Sequence, residues 1–326
     1  MLSRHFLRMK VLQEVYAYYC NEKASVLSAE DSLRHNVARL NDLGNTQIGM
    51  MLEFVSVGER MLEEGTQKFI ATETDKNPDR RIAKNEFVRR IADNYDYRKQ
   101  SESIKTLWED EQPKFRKAFA AFKESEPYRK YLDSSEGYAA DKELAIALFR
   151  FLMNDEGLRS TIVERSLLWE DDFDQVAQYE FMMLKTLEET TFNEASIWPK
   201  VYDERSEGEK EAMDFAVMLL RQTLKNADES NELIRTHLKG WDFERVAQMD
   251  IYLLDMAIAE LRFCPSIPIR VTVDEYIELS KEFSTDRSKL FINGLLDKLI
   301  LELRSEGKIE KTGRGLLGID EKDEEV

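Results

Sequence analysis

Lys289-Leu290-Phe291-Ile292-Asn293-Gly294-Leu295-Leu296-Asp297-Lys298-Leu299-Ile300 places apolar residues at Ile292, Leu295, Leu296 and Leu299, and the series continues at Leu303. Steps of three and four residues put these side chains on one stripe of an α-helix, the face a helix turns towards a core. Gly294 lies inside that helix, where glycine costs about 1 kcal/mol relative to alanine. A compensating reason is close approach of another backbone or of a ligand. Phe291 and Lys298, seven residues apart, share a neighbouring face. An exposed phenylalanine beside cations makes a stacking platform for a base.

Upstream, Pro265-Ser266-Ile267-Pro268 breaks the chain. Val273-Asp274-Glu275-Tyr276-Ile277-Glu278-Leu279-Ser280-Lys281 then restarts a helix with acids in its first turn, where the helix dipole favours them. Ser284-Thr285-Asp286 forms a loop between the two helices. The same helical grammar extends through all 326 residues: 13 glycines and 6 prolines are few, and charged residues reach 34%, the composition of long solvated helices. With 42% apolar residues the chain has ample material for a core. The fold expected is all-α.

The first segment, Ser3 to about Asn21, has no Gly or Pro and is apolar nearly all round a helical wheel (Phe6, Leu7, Met9, Val11, Leu12, Val15, Tyr16, Tyr18, Tyr19). Such a helix is buried on most sides. Arg4, His5, Arg8 and Lys10 fall within its first two turns, so a buried rod with a cationic tip is expected. Further helices are predicted at roughly 29–70, 80–99, 102–124 and 139–154, separated by Asn77-Pro78-Asp79 and Glu126-Pro127. Trp108, Phe115, Phe119 and Phe122 recur at helical spacing as core. The acidic end, Gly318 to Val326, is predicted to be disordered.

The chain also resembles itself. Phe173-Asp174-Gln175-Val176-Ala177-Gln178-Tyr179-Glu180 matches Phe243-Glu244-Arg245-Val246-Ala247-Gln248-Met249-Asp250, each preceded by a tryptophan, Trp169 and Trp241. Upstream, Leu144–Arg150 pairs with Phe215–Arg221, and downstream Phe181–Leu184 pairs with Ile251–Leu254. This predicts a duplicated helical unit of about 50 residues, each copy burying its Trp and Phe against helix neighbours; chance similarity between amphipathic helices is the competing reading.

Both ends resemble the NusB family of transcription antitermination factors. At the front, Arg4-His5-Phe6-Leu7-Arg8-Met9-Lys10-Val11-Leu12-Gln13-Glu14-Val15-Tyr16 is similar to the family's arginine-rich first helix with its Gln-x-x-Tyr ending. At the back, the likeness runs from Trp241 to Lys298, through Glu260-Leu261, Ile267-Pro268-Ile269-Arg270-Val271, Asp274–Lys281 and Phe291–Lys298. The resemblance covers about 20 residues at the front and about 90 from Phe215 onward. It implies a NusB-like helical bundle: first helix 1–24, an inserted helical region 25–208 with the partial duplication at about 139–190, a C-terminal half 209–312, and an acidic disordered tail 313–326.

The same resemblance implies that the protein binds boxA-like RNA of ribosomal-RNA leaders together with the ribosomal protein NusE, within the RNA polymerase antitermination complex. It assigns Arg4, His5, Arg8 and Lys10 to phosphates and Gln13 and Tyr16 to bases. Phe291, with Lys289 and Arg287, forms the second side of the groove, and Glu244 and Asp250 contact NusE. Three to four neutralised phosphates correspond to a salt slope of about −2 to −3 on a single strand. Two departures stand out: the family's Asp-Arg-x-x-Leu-Arg pattern reads Asp250-Ile251-Tyr252-Leu253-Leu254-Asp255 here, and Phe6 occupies a position often held by arginine.

The net charge of −17 opposes broad adhesion to nucleic acid, so any RNA contact is local. A second basic and aromatic stretch, Arg80-Arg81, Arg89-Arg90 and Arg98-Lys99 with Tyr95 and Tyr97, reads first as a solvated helix face, since Glu86, Asp93 and Asp96 interleave it, and second as an extension of an RNA surface. Catalysis finds no constellation: three scattered histidines (His5, His35, His237), no Gly-rich phosphate loop and no Cys/His metal spacing. A non-enzymatic protein without cofactor or metal is expected. Cys20 and Cys264 read as core residues in a reducing cytoplasm, and no apolar run is long enough to span a membrane. Two alternatives are a protein-only helical scaffold and the RNA-binding part of an rRNA methyltransferase; the second needs a downstream cofactor domain.

Overall fold

The computed structural model describes residues 2–67, 72, 76–102, 107–108, 110–238 and 243–317. Its α-helices are α1 (Arg4–Cys20), α2 (Val26–Ala38), α3 (Leu40–Thr66), α4 (Glu86–Asp93), α5 (Tyr95–Gln100), α6 (Gln112–Lys123), α7 (Glu126–Asp133), α8 (Tyr138–Met153), α9 (Glu156–Val163), α10 (Leu167–Thr186), α11 (Glu207–Lys225), α12 (Ala227–His237), α13 (Gln248–Phe263), α14 (Ile269–Phe283) and α15 (Ser288–Ser305). No strand occurs among the described residues, and the fold is all-α. Two compact units form: Met1–Ala38 with Asp203–Val326, and Arg39–Tyr202. The division places α2 with α1, packed on α1 and α11, whereas the sequence reading began the insertion at residue 25.

In the first unit α13 is the axis. Ile251 to Leu261 is buried throughout and apolar but for Asp255 and Glu260, and α1, α11, α12, α14 and α15 pack around it. A helix this enclosed must satisfy each polar group it carries. Glu260 does so with Arg8, Thr272 and Tyr276, and Asp250 with Ser284 and Ser288. Asp255 has no partner for its Oδ1, and burial pushes its carboxyl up to about 8.

In the second unit the 27-residue α3 is the spine against which α6, α8 and α10 pack. Gly58 lets the Phe119 ring lie directly on the α3 backbone, where a Cβ would collide with it. Trp108, Phe115, Phe119 and Phe122 are buried as expected.

Several predicted boundaries move for identifiable reasons. The helix expected over 29–70 is interrupted at Arg39. Asn94 ends α4 and caps α5, its side chain accepting from the Tyr97 N–H at 2.8 Å. Pro127, read as a breaker, sits in the first turn of α7 behind the Ser125 cap, where its missing N–H costs nothing. The tail expected to be disordered from 313 forms a 3-10 turn over Gly313–Leu316, tethered by the Thr312 N–H to the Pro265 carbonyl at 3.0 Å; 318–326 lie outside the described residues. Cys20 is exposed rather than core.

The order of helices α8, α9, α10 recurs as α11, α12, α13, but the matched octapeptides do not fold alike. Phe173–Glu180 lies wholly within α10, with Phe173, Val176 and Ala177 buried. Phe243–Arg245 is instead a 3-10 turn and α13 begins only at Gln248. Phe243 is half-buried, its ring 4.3 Å from the Arg235 guanidinium, so the expectation that both phenylalanines enter a core fails. Trp169 is buried; Trp241 lies outside the described residues.

Candidate nucleic-acid interface

The cations of α1 are not a tip. α1 starts at Arg4, capped by the Ser3 hydroxyl on the Phe6 N–H, and packs on α11 and α13. Arg8 therefore falls inside the buried run Phe6–Leu12 and is 1% exposed. Its guanidinium donates to both Glu260 oxygens, Nε at 2.6 Å and Nη2 at 2.8 Å, with Glu275 3.4 Å from Nη1. Burial disfavours the charged form, but the Glu260 carboxylate outweighs burial and raises the guanidinium above its ordinary value. Lys10 is equally buried. His5 Nδ1 lies 2.8 Å from Glu275 and Nε2 3.6 Å from Glu282.

Arg8 and Lys10, both buried, cannot reach a phosphate, which corrects two of the residues assigned to RNA; His5 is half-buried beside two carboxylates. Arg4 stays half-exposed, 3.9 Å from Glu211 and 5.2 Å from the Phe215 ring centre.

The other end of α1 is aromatic and open. Tyr16 is 51% exposed and meets Tyr252 edge-on at 6.5 Å, while Tyr19 stacks flat on Tyr252 at 5.0 Å. Gln13 is half-buried one turn before. Tyr252 lies less than one helical turn beyond Asp250, and Asp250 accepts from Ser284 Oγ at 2.6 Å and Ser288 Oγ at 2.9 Å. The carboxylate thus ties the loop that enters α15 to the start of α13, the end where Tyr16 and Tyr19 pack. Arg287 and Lys289, flanking Ser288, are exposed, and Phe291 is half-buried one turn on. Tyr16 and Tyr19, through Tyr252, and Arg287, Lys289 and Phe291, through the Asp250 clasp, are both tied to the first turns of α13.

Asp250, assigned to the partner, is buried and spent on this loop; that assignment is corrected. Glu244 is exposed. Gly294 is exposed with nothing within 4 Å of an added Cβ, so no protein backbone explains it.

Sequence reasoning missed Tyr19, Tyr252, Ser284 and Ser288. Tyr19 was findable, three residues from Tyr16 and on its face. The serines were not, because nothing in a loop sequence names the carboxylate it folds onto. Among the described residues no three His, Cys, Asp or Glu side chains are placed to hold a metal ion, and no helix is long and apolar enough to cross a membrane.

Comparison with known proteins bears on the same region. The model of the NusB family matches residues 173–301, from within α10 to within α15. The transcription antitermination protein NusB of Salinibacter ruber is 46% identical over 107 residues, covering 33% of this chain and 67% of that protein. That of Chloroherpeton thalassium is 36% identical over 115 residues, covering 35% and 54%. A solved structure of T. maritima NusB shares 29% identity over 43% of this chain and 82% of that chain, with a TM-score of 0.28. With two thirds of a relative matched at 46% identity around the enclosed helix α13 and the Asp250-held loop, the chain belongs to the NusB family of transcription antitermination proteins.

Proposed function

We propose that the protein binds boxA-like single-stranded RNA of ribosomal-RNA leaders together with NusE, acting in the cytoplasm within the polymerase antitermination complex and without catalysis of its own. The observation that carries this reading is the Asp250 clasp, which holds the start of α15, with Arg287, Lys289 and Phe291, at the same end of α13 as the exposed Tyr16. Tyrosine and phenylalanine faces stack unpaired bases, and the neighbouring cations neutralise phosphates. With Arg8 and Lys10 withdrawn, the cations left to the site are few, and the RNA contact alone is weak. Simultaneous binding of NusE adds affinity by joining two contacts in one complex. Glu244, exposed in the turn before α13, is left as the acidic contact for that partner.

The test is fluorescence anisotropy of a labelled boxA-like RNA with and without NusE, comparing wild type with Arg287→Glu/Lys289→Glu. The double variant is expected to weaken RNA binding at least tenfold in both conditions, both residues being exposed and remote from the core. Equal affinities would remove the α13 site as the RNA contact. The burial of Arg8 and Lys10 favours one second reading, a protein-only scaffold, and NusE capture unaffected by RNA in wild type would support it.

A further inference from the structure

The basic stretch 80–99 separates into two kinds of residue. Arg81 donates to the Leu132 and Ser134 carbonyls at 3.1 and 3.0 Å and lies over Tyr131. Arg90 donates to the Glu189 and Phe192 carbonyls and pairs with Glu86. Tyr97 is buried. These residues fasten the second unit together. Tyr95, Arg98 and Lys99 are exposed and, at spacings of three and four, share one face of α5.

Elsewhere in this unit exposed cations are mostly paired: Arg60 with Glu53, Arg116 with Glu64, Arg129 with Glu124, Lys130 with Glu143. Arg98, Lys99 and the nearby exposed Arg89 have no carboxylate partner among the described residues. Asp96, the acid between them, is spent on the Trp198 N–H at 3.0 Å and on Gln100.

The platform is also rigid. The Tyr95 N–H donates to the Glu194 carbonyl at 2.8 Å, and the Asn94 side chain donates to the carbonyls of Asn193 and Ser196 at 3.0 and 2.8 Å. Ser196 and Trp198, both bound to this segment, hold Ile197 between them. Tyr95 at 67% exposure and Ile197 at 78% therefore project from two backbone segments fastened to each other, so that little ordering cost accompanies contact with a ligand.

We infer that this face of the 39–202 unit is a contact surface for single-stranded RNA: Tyr95 stacks an unpaired base, Ile197 covers its edge, and Arg98 and Lys99 meet the flanking phosphates. Unpaired cations beside a lone aromatic ring fit a phosphate backbone better than a protein surface, which would require a larger apolar patch. The inference rests on the RNA-binding reading for its choice of ligand.

The experiment uses the full chain and a labelled single-stranded RNA with a boxA-like core and extended flanks, titrated at several salt concentrations. Tyr95→Ala is expected to weaken binding fivefold or more, as loss of one stacked base does, while Tyr95→Phe retains affinity. Arg98→Glu/Lys99→Glu is expected to weaken it and to reduce the salt slope by about 1.4, two phosphates at about 0.7 each. All these positions are exposed, so helix content measured by circular dichroism stays at the wild-type value. Unchanged affinity and slope in Tyr95→Ala and in the charge reversal overturn the inference, as does lost NusE capture with unchanged RNA affinity. If these variants lose RNA while Arg287→Glu/Lys289→Glu keeps it, the α13 site fails and this one stands; the converse rejects this one alone.

Discussion

Arg8 shows how one residue type serves two opposite purposes. On an exposed helix start its charge would attract phosphate; enclosed between α1, α13 and α14 it neutralises Glu260 and, with Thr272 and Tyr276, completes that carboxylate's shell. Removing one member of a buried pair leaves the other charged and unsatisfied, so Arg8→Ala should cost about 3–5 kcal/mol in urea unfolding. A cost near zero would show that Arg8 is solvated after all. The first helix departs from the expected cationic tip for the same reason: Arg8 and Lys10 lie close to Arg4 in sequence, yet they share faces with Leu7, Val11 and Leu12, and those faces are buried.

At the scale of elements, two glycines in helices do different work. Gly58 on α3 is a close approach: a Cβ there meets the ring of Phe119, itself locked against Phe54 at 5.5 Å. Gly58→Ala should destabilise by about 1–3 kcal/mol through overpacking, read as a lower urea midpoint with unchanged slope. Gly294 on α15 faces open space. There alanine should stabilise the helix by up to about 1 kcal/mol. If glycine is kept for a close RNA backbone, Gly294→Ala gains thermal stability while losing RNA affinity; a gain in stability with unchanged affinity would remove the ligand explanation. The two matching octapeptides teach the same lesson, since one is helix inside α10 and the other begins in a 3-10 turn before α13. Each copy's neighbours decide, not its own propensity.

Across the whole molecule, each unit encloses a carboxyl without a full set of partners: Asp255 in the first, Glu180 in the second. Burial raises both to about 8. A folded-state pKa above the unfolded value means stability fully present in acid and lost as pH rises towards 8, by a few kcal/mol per group. Glu180→Gln should therefore melt higher than wild type at pH 9, and the gap should close by pH 5; a gap independent of pH would show Glu180 to be ionised throughout. The sequence by itself determined the helical class, the apolar stripe of α15, the core aromatics of α6 and the family, because these depend on periodicity and on residue identities along a continuous stretch. Only the tertiary structure decided which charges are spent inside. Arg8 with Glu260, Asp250 with Ser284 and Ser288, and Arg81 and Arg90 on distant carbonyls are all pairings across tens to hundreds of residues. Whether a cation faces solvent or a buried carboxylate depends on what packs over it, and that partner is absent from the cation's own stretch of chain.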